Sequence, residues 1–268
     1  SAKGSSVWAA GHDGVILYSA DSGKTWERQR VSPWSKDSTE ITNGSPVLDT
    51  YFIDEQTGFA VGAYSLLLKT TDAGKTWQSL SISGQQPAEQ SADFSADNSG
   101  TFNESDPAIG AEEDPHLNSI TRTDSGVLLI MGERGAGFRS SDEGATWQKV
   151  ILPYAGSMFG VLSLGGERVL AYGLRGNVFE SANAGSTWSK VESGTNFSLI
   201  GGAVGSDGSV AVVGGNGILL TRKANASAFT VHHVQAKNGQ TPSLSSVMPT
   251  DAGFLLTSDL GNISYTVQ

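Results

Sequence analysis

The chain has 268 residues, a formal net charge of −10, no cysteine, only 16% charged residues and 34 glycines, about 13% against a usual ~7%. That composition excludes a disordered segment, a coiled coil, a disulfide framework and thiol chemistry, and it points to many short strands joined by tight turns. The negative charge argues against a nucleic-acid partner, which wants a basic footprint, and no apolar run approaches the roughly 18 residues of a membrane-spanning helix.

In chain order, Ser1 to Ser6 has neither an apolar region nor a cleavage site, so no signal peptide is expected in this chain. With the lack of cysteine, the expected location is extracytoplasmic, in a periplasm or an equivalent lumen. A first hairpin turns at Gly11–Gly14 and runs into the segment Ser19 to Trp26, of pattern [ST]-x-[DN]-x-G-x-T-W. The same hairpin and segment recur at Gly62–Ser65 with Thr70 to Trp77, at Gly132–Gly135 with Ser140 to Trp147, and at Gly173–Gly176 with Ser181 to Trp188. A decayed copy runs from Gly214 to Phe229, and a last hairpin turning at Ser258–Gly261 closes the chain. Short apolar runs split by glycine turns are β-hairpins.

The leading glycine of each copy stands 15 residues before its aromatic, as in Gly11 and Trp26 or Gly173 and Trp188. Glycines 132, 173 and 214 are spaced by 41 residues, the length of one four-stranded propeller blade, whereas the spacings from 11 to 62 and from 62 to 132 exceed it by 10 and 29. Removing those 39 residues leaves about 5.6 blades. The expectation is therefore a single all-β propeller domain over residues 1–268, with six four-stranded antiparallel blades, one incomplete, and insertions at 27–46 and 83–116. Between Ser83 and His116 there are eight acidic residues and no Lys or Arg, so most of the net charge sits in one segment, expected to be the most mobile.

The repeated segment explains itself as a turn staple. Asp21, Asp72, Asp142 and Asn183 accept bonds from backbone N–H groups, Gly23, Gly74, Gly144 and Gly185 supply positive φ, and Trp26, Trp77, Trp147 and Trp188 are expected buried between sheets. The copy ending at Phe229 is expected to be distorted. No residue of the staple is assigned to catalysis.

This box resembles the bacterial-neuraminidase, or Asp-box, repeat of sialidases, sortilin-type receptors and the Ycf48/Hcf136 family of photosystem II assembly factors. The stretch from Phe52 to Trp77 resembles most the last of these, whose blades read apolar-x-D-x-x-x-G-x-A-V-G before the box. The resemblance implies a propeller and a non-catalytic binding or assembly scaffold for a protein or membrane-protein partner, with no cofactor. That family is seven-bladed, whereas this chain has residues for about six.

Labelling strands A to D outward from the axis, the box is the C–D turn, and the B–C turns share the opposite face with the D–A crossings that carry both insertions. Equivalent B–C positions hold Asp13, Tyr64, Arg134, Arg175, Asn216 and Leu260. Variation on a repeating frame suits a binding face, and Arg134 and Arg175, on adjacent blades, suit a carboxylate or an acidic peptide. The alternative class is an Asp-box glycoside hydrolase, which would need an arginine trio, a Tyr–Glu nucleophile pair and an acid; Glu133, Glu167 and Tyr172 form no such pair in the sequence. The glycine-rich stretches at 132–137 and 214–217 lack the following helix of a phosphate loop. His232 and His233, in one strand, point to opposite faces, and no metal is expected. Asp114, Pro115 and His116 are expected to anchor the acidic insertion. The protein is expected to be a monomer.

Overall fold

The computed structural model describes residues 1–33, 35–36, 43–82 and 114–267. They form a six-bladed antiparallel propeller with almost no helix. Blade 1 comprises Ala2–Lys3, Ser6–Ala10, Ile16–Ser19 and Glu27–Arg30; blade 2 comprises Val47–Phe52, Gly58–Gly62, Leu67–Thr70 and Gln78–Ser79. Blade 3 is Leu117–Arg122, Leu128–Gly132, Gly137–Ser140 and Gln148–Lys149; blade 4 is Met158–Ser163, Val169–Gly173, Val178–Ser181 and Ser189–Val191. Blade 5 is Leu199–Val204, Val210–Gly214, Ile218–Arg222 and Thr230–His233, and blade 6 has three strands, Leu244–Thr250, Gly253–Ser258 and Gly261–Tyr265. The segment 27–46 gives its first four residues to strand D of blade 1. The acidic residues from 83 to 113, with the expectation of mobility placed on them, lie outside the described residues.

The B strands are continuous apolar runs because both of their faces are buried. In blade 3, Leu128 and Ile130 join the cluster with blade 2, while Leu129 and Met131 join the cluster with blade 4. Blade 4 repeats this with Val169 and Ala171 on one side and Leu170 and Tyr172 on the other, and blade 5 with Val210 and Val212 against Ala211 and Val213. Alternation along the strand thus feeds two neighbouring seams rather than a core and a solvent face.

Five apolar clusters fill the five seams from blade 1 to blade 6. The seam between blade 6 and blade 1 is different. Among the described residues no hydrogen bond joins these two blades, and their B strands are the two that are not buried throughout, with Ala9 and Ala10 exposed.

This asymmetry corrects the expectation for the box tryptophans. Three of the rings pack in the seam with the blade before their own: Trp77 joins the cluster of Trp8 and meets Phe52 of its own blade edge-on, Trp147 meets Phe59 with centroids 6.4 Å apart, and Trp188 packs on the cluster of Leu129. Trp147 is buried, Trp77 and Trp188 are partly buried, and Trp26 is 44% exposed because no neighbour covers it.

The box chemistry repeats closely. Ser19 Oγ accepts the Gly23 N–H at 2.8 Å and donates to Asp21, whose carboxylate accepts the N–H and hydroxyl of Thr25 at 2.8 and 2.7 Å. Asp72 with Thr76 and Asp142 with Thr146 do the same. These threonine bonds hold Asp21, Asp72 and Asp142 well below the usual carboxylate range, at about 2. Asn183 makes equivalent contacts uncharged, accepting the Thr187 N–H at 2.9 Å and donating to its hydroxyl at 3.0 Å. A depressed native value means stability that is present above pH ~4 and lost as pH falls towards ~2. A variant with Asn at positions 21, 72 and 142 should therefore match the parent near neutrality and lose less stability between pH 4 and 2. Denaturant melts across that range check it, and parallel acid limbs would contradict the linkage.

The fifth box is rewired. Arg222 stands where the other boxes carry Ser or Thr, Ala224 replaces the Asp, and Asn225 keeps the left-handed backbone at φ 58°. The Arg222 side chain is buried and donates to Glu180 of blade 4 at 2.7 Å, while Arg168 donates to the other Glu180 oxygen at 2.8 Å. Burial alone would raise Glu180, but these two arginines outweigh it and hold it low. An ion-paired bracket between blades thus replaces a local staple, and Arg222 covers the Phe229 ring at 4.9 Å.

Candidate binding face

The B–C turns of blades 1 to 5 share one geometry, which the turn of blade 6 at Asp259 and Leu260 does not adopt. The Val15 N–H bonds the His12 carbonyl, Ala136 bonds Glu133, and Asn177 bonds Leu174, each closing a two-residue turn with both central φ values positive. Those central residues are Asp13-Gly14, Tyr64-Ser65, Arg134-Gly135, Arg175-Gly176 and Asn216-Gly217. This is the hairpin turn that favours Asn-Gly and Asp-Gly, so Asp13 and Asn216 are explained by the turn alone. Tyr64, Arg134 and Arg175 are not. Their φ values of 55°, 54° and 56° are costly for bulky side chains, and all three are exposed on consecutive blades. Backbone strain of this kind gathers at functional sites.

The leading glycines of blades 2 to 5 also act here. The N–H after each bonds the carbonyl that precedes strand A: Ala63 to Pro46, Glu133 to His116, Leu174 to Ser157, and Gly215 to Ser198, all at 3.0–3.1 Å. A Cβ on Gly62, Gly132, Gly173 or Gly214 would collide with that same carbonyl oxygen. The end of each of these four D–A crossings is thereby pinned against a B–C turn, which places both on one face.

The acidic insertion returns at that face. The Ser65 N–H donates to the Pro115 carbonyl at 2.9 Å, His116 lies edge-on to Tyr64 with centroids 5.2 Å apart, and His116 Nδ1 is 3.7 Å from Glu133. Pro115 and His116 thus tie the end of the insertion to the turns of blades 2 and 3. The shorter insertion is tied likewise, through the Ser32 N–H to Asp13 and the Arg30 guanidinium to Gly14, both on backbone oxygens.

Between blades 4 and 5 this face opens into a cleft of about 520 Å³. Arg175 and Lys190 line one side and Val231 and His233 the other, with Phe197 at the rim.

The residues weighed for hydrolysis are not brought together. Glu133 sits at the B–C turns, whereas the Glu167 carbonyl accepts the Ala184 N–H of a box on the opposite face. Tyr172 is buried, and burial followed by the nearby Asp49 charge raises it. Asp49, which no motif singled out, is partly buried among the A strands and accepts bonds from the Ser119 hydroxyl and the Ile120 N–H at 3.0 and 2.9 Å. Burial outweighs those bonds and pushes it up. Among the described residues there is no metal-ligating cluster, and no helix is long and apolar enough to cross a membrane.

A sequence model of the family described as Photosynthesis system II assembly factor YCF48 matches residues 27–109. A protein of Prochlorococcus marinus named Photosystem II assembly lipoprotein Ycf48 is 28% identical over 149 residues, covering 48% of this chain and 43% of its own length. The chain thus spans less than half the length of that relative. A structure of YCF48 bound to D1 peptide superposes with a TM-score of 0.55 at 19% identity, over 80% of this chain and 63% of the other. An ancestral GH74 enzyme superposes at 0.63 with 13% identity, over 96% of this chain and 34% of the other, a likeness of fold alone. The chain is thus a β-propeller whose blade pattern and sequence are similar to those of the Ycf48 family.

Proposed function

We propose that this chain is a non-catalytic scaffold that binds a protein segment of a membrane complex, outside the cytoplasm, through the face of B–C turns and D–A crossings. The observation that carries this is the strained, exposed trio Tyr64, Arg134 and Arg175 at one equivalent position on three consecutive blades. A propeller holding large side chains there against turn preference keeps them for a contact. The two arginines suit a carboxylate or an acidic peptide. The names of its relatives support the reading: one is an assembly lipoprotein for photosystem II, and one structure holds a D1 peptide. Photosystem II, or an equivalent membrane complex, is thus the partner class proposed for this chain.

The test replaces Arg134 and Arg175 together by asparagine, the residue that blade 5 carries at the same position as Asn216. Melting temperature should be unchanged or higher, because Asn tolerates the left-handed backbone. Capture of photosystem II proteins from a solubilised photosynthetic membrane extract should fall several-fold, and capture by the parent should weaken with salt. Glycosides, sialosides included, should stay at background. Undiminished capture by the double variant would overturn the assignment of this face, and turnover lost with a single carboxylate would replace the scaffold by a hydrolase.

A further inference from the structure

The cleft between blades 4 and 5 has features that a general docking face does not require. Its wall is a loop held rigid by its own hydroxyls: the Thr195 N–H donates to Ser193 Oγ at 3.3 Å, Ser193 Oγ donates to the Thr195 carbonyl at 3.1 Å, and the Phe197 N–H donates to Thr195 Oγ1 at 3.2 Å. The loop is also wedged onto the Arg175 turn, because a Cβ on Gly176 would collide with the Thr195 carbonyl. Phe197 is consequently displayed, 45% exposed, at the rim of the cleft rather than folded into a seam.

The charges of the cleft are asymmetric. Arg175 and Lys190 stand on one side and His233 on the other, and the single acid, Glu192, is almost fully exposed and reaches Lys190 at only 3.9 Å. Within this mostly polar lining, Ile218 and Val231 supply an apolar patch. Its ~520 Å³ lies within the range of specific ligand pockets and exceeds the need of a lone anion. A rigid aromatic beside fixed cations recognises a carboxylate and an apolar side chain together, at little ordering cost to the protein.

We propose that this cleft is a peptide subsite taking an acidic side chain and the aromatic residue next to it, from a bent internal segment of the protein partner. The carboxylate lies between Arg175 and Lys190, and the ring lies against Phe197 and Val231. This rests on the scaffold reading above and adds the chemistry of what is read.

The probe is a fluorescent hexapeptide, blocked at both ends, with a central Glu-Phe pair, titrated by anisotropy at low salt. Peptides with Gln-Phe or Glu-Ser in place of the pair should each bind about tenfold more weakly, since each loses one half of the contact. Arg175→Glu and Phe197→Ser should each weaken the Glu-Phe peptide by a similar factor, and Lys190→Glu is a second charge variant. Lys149→Glu, on an exposed strand of blade 3, should leave binding unchanged, and circular dichroism melts confirm that all four variants fold. Equal binding of the Glu-Ser and Glu-Phe peptides, with competition by inorganic phosphate, would reduce the cleft to an anion site and overturn the proposal. Absent peptide binding, while membrane capture persists and depends on Arg134, would also overturn it and leave the scaffold reading standing. Tighter binding when the terminal carboxyl of the peptide is left free would assign the cleft to chain ends instead of internal segments.

Discussion

Trp147→Ala is expected to destabilise the propeller by about 3–5 kcal/mol, whereas Trp26→Ala, at the same position of the same repeat, should cost under about 1 kcal/mol. The first ring is 6% exposed and packs across a seam on Phe59; the second is 44% exposed and faces no blade. Removing Trp147 leaves a cavity between two rigid sheets that cannot collapse, while removing Trp26 exposes surface already partly wet. The indole nitrogens sharpen the contrast. Trp26 Nε1 donates to the Gly23 carbonyl at 2.9 Å, whereas Trp147 Nε1 is buried without a partner. Trp147→Phe, which sheds that unsatisfied donor, should therefore recover much of the loss. Denaturant midpoints of the three variants measure this, and equal losses at positions 26 and 147 would refute packing on the preceding blade as the source of the difference.

Gly173→Ala should cost about 3 kcal/mol or abolish cooperative folding, and Gly11→Ala should stay within about 0.5 kcal/mol. Both are the leading glycine of a repeat, and neither has positive φ, so conformational freedom does not separate them. Space does. An added methyl at Gly173 meets the Ser157 carbonyl oxygen and the Met158 Cα at 2.7 Å, both backbone atoms fixed by the Leu174 N–H bond at 3.0 Å. At Gly11 nothing lies within 4 Å, because no strand-A carbonyl stands there. Thermal and denaturant melts of the two variants decide the matter, and a well-tolerated alanine at position 173 would show that the D–A crossing can yield.

The sequence by itself determined the blade. The 41-residue spacing, the glycine 15 residues before each aromatic, and the Ser, Asp, Gly, Thr and Trp of the box are local features. Each acts through a turn or a hairpin a few residues long, so each is legible without knowing its neighbours. The count of six, the distorted fifth box and the meeting of the strand-A starts with the B–C turns followed from those same local rules. Only the tertiary structure decided which repeats are equal in energy. Trp26 obeys the box pattern yet stays exposed, since burial depends on the blade before it, and that neighbour is set by ring packing. Arg222, which looks like decay of the box, is an ion-paired link to Glu180 in another blade, a contact 42 residues away in sequence. The partly buried Asp49 and the cleft beside Arg175 belong to the same class, because charge burial and concavity arise where separate blades meet.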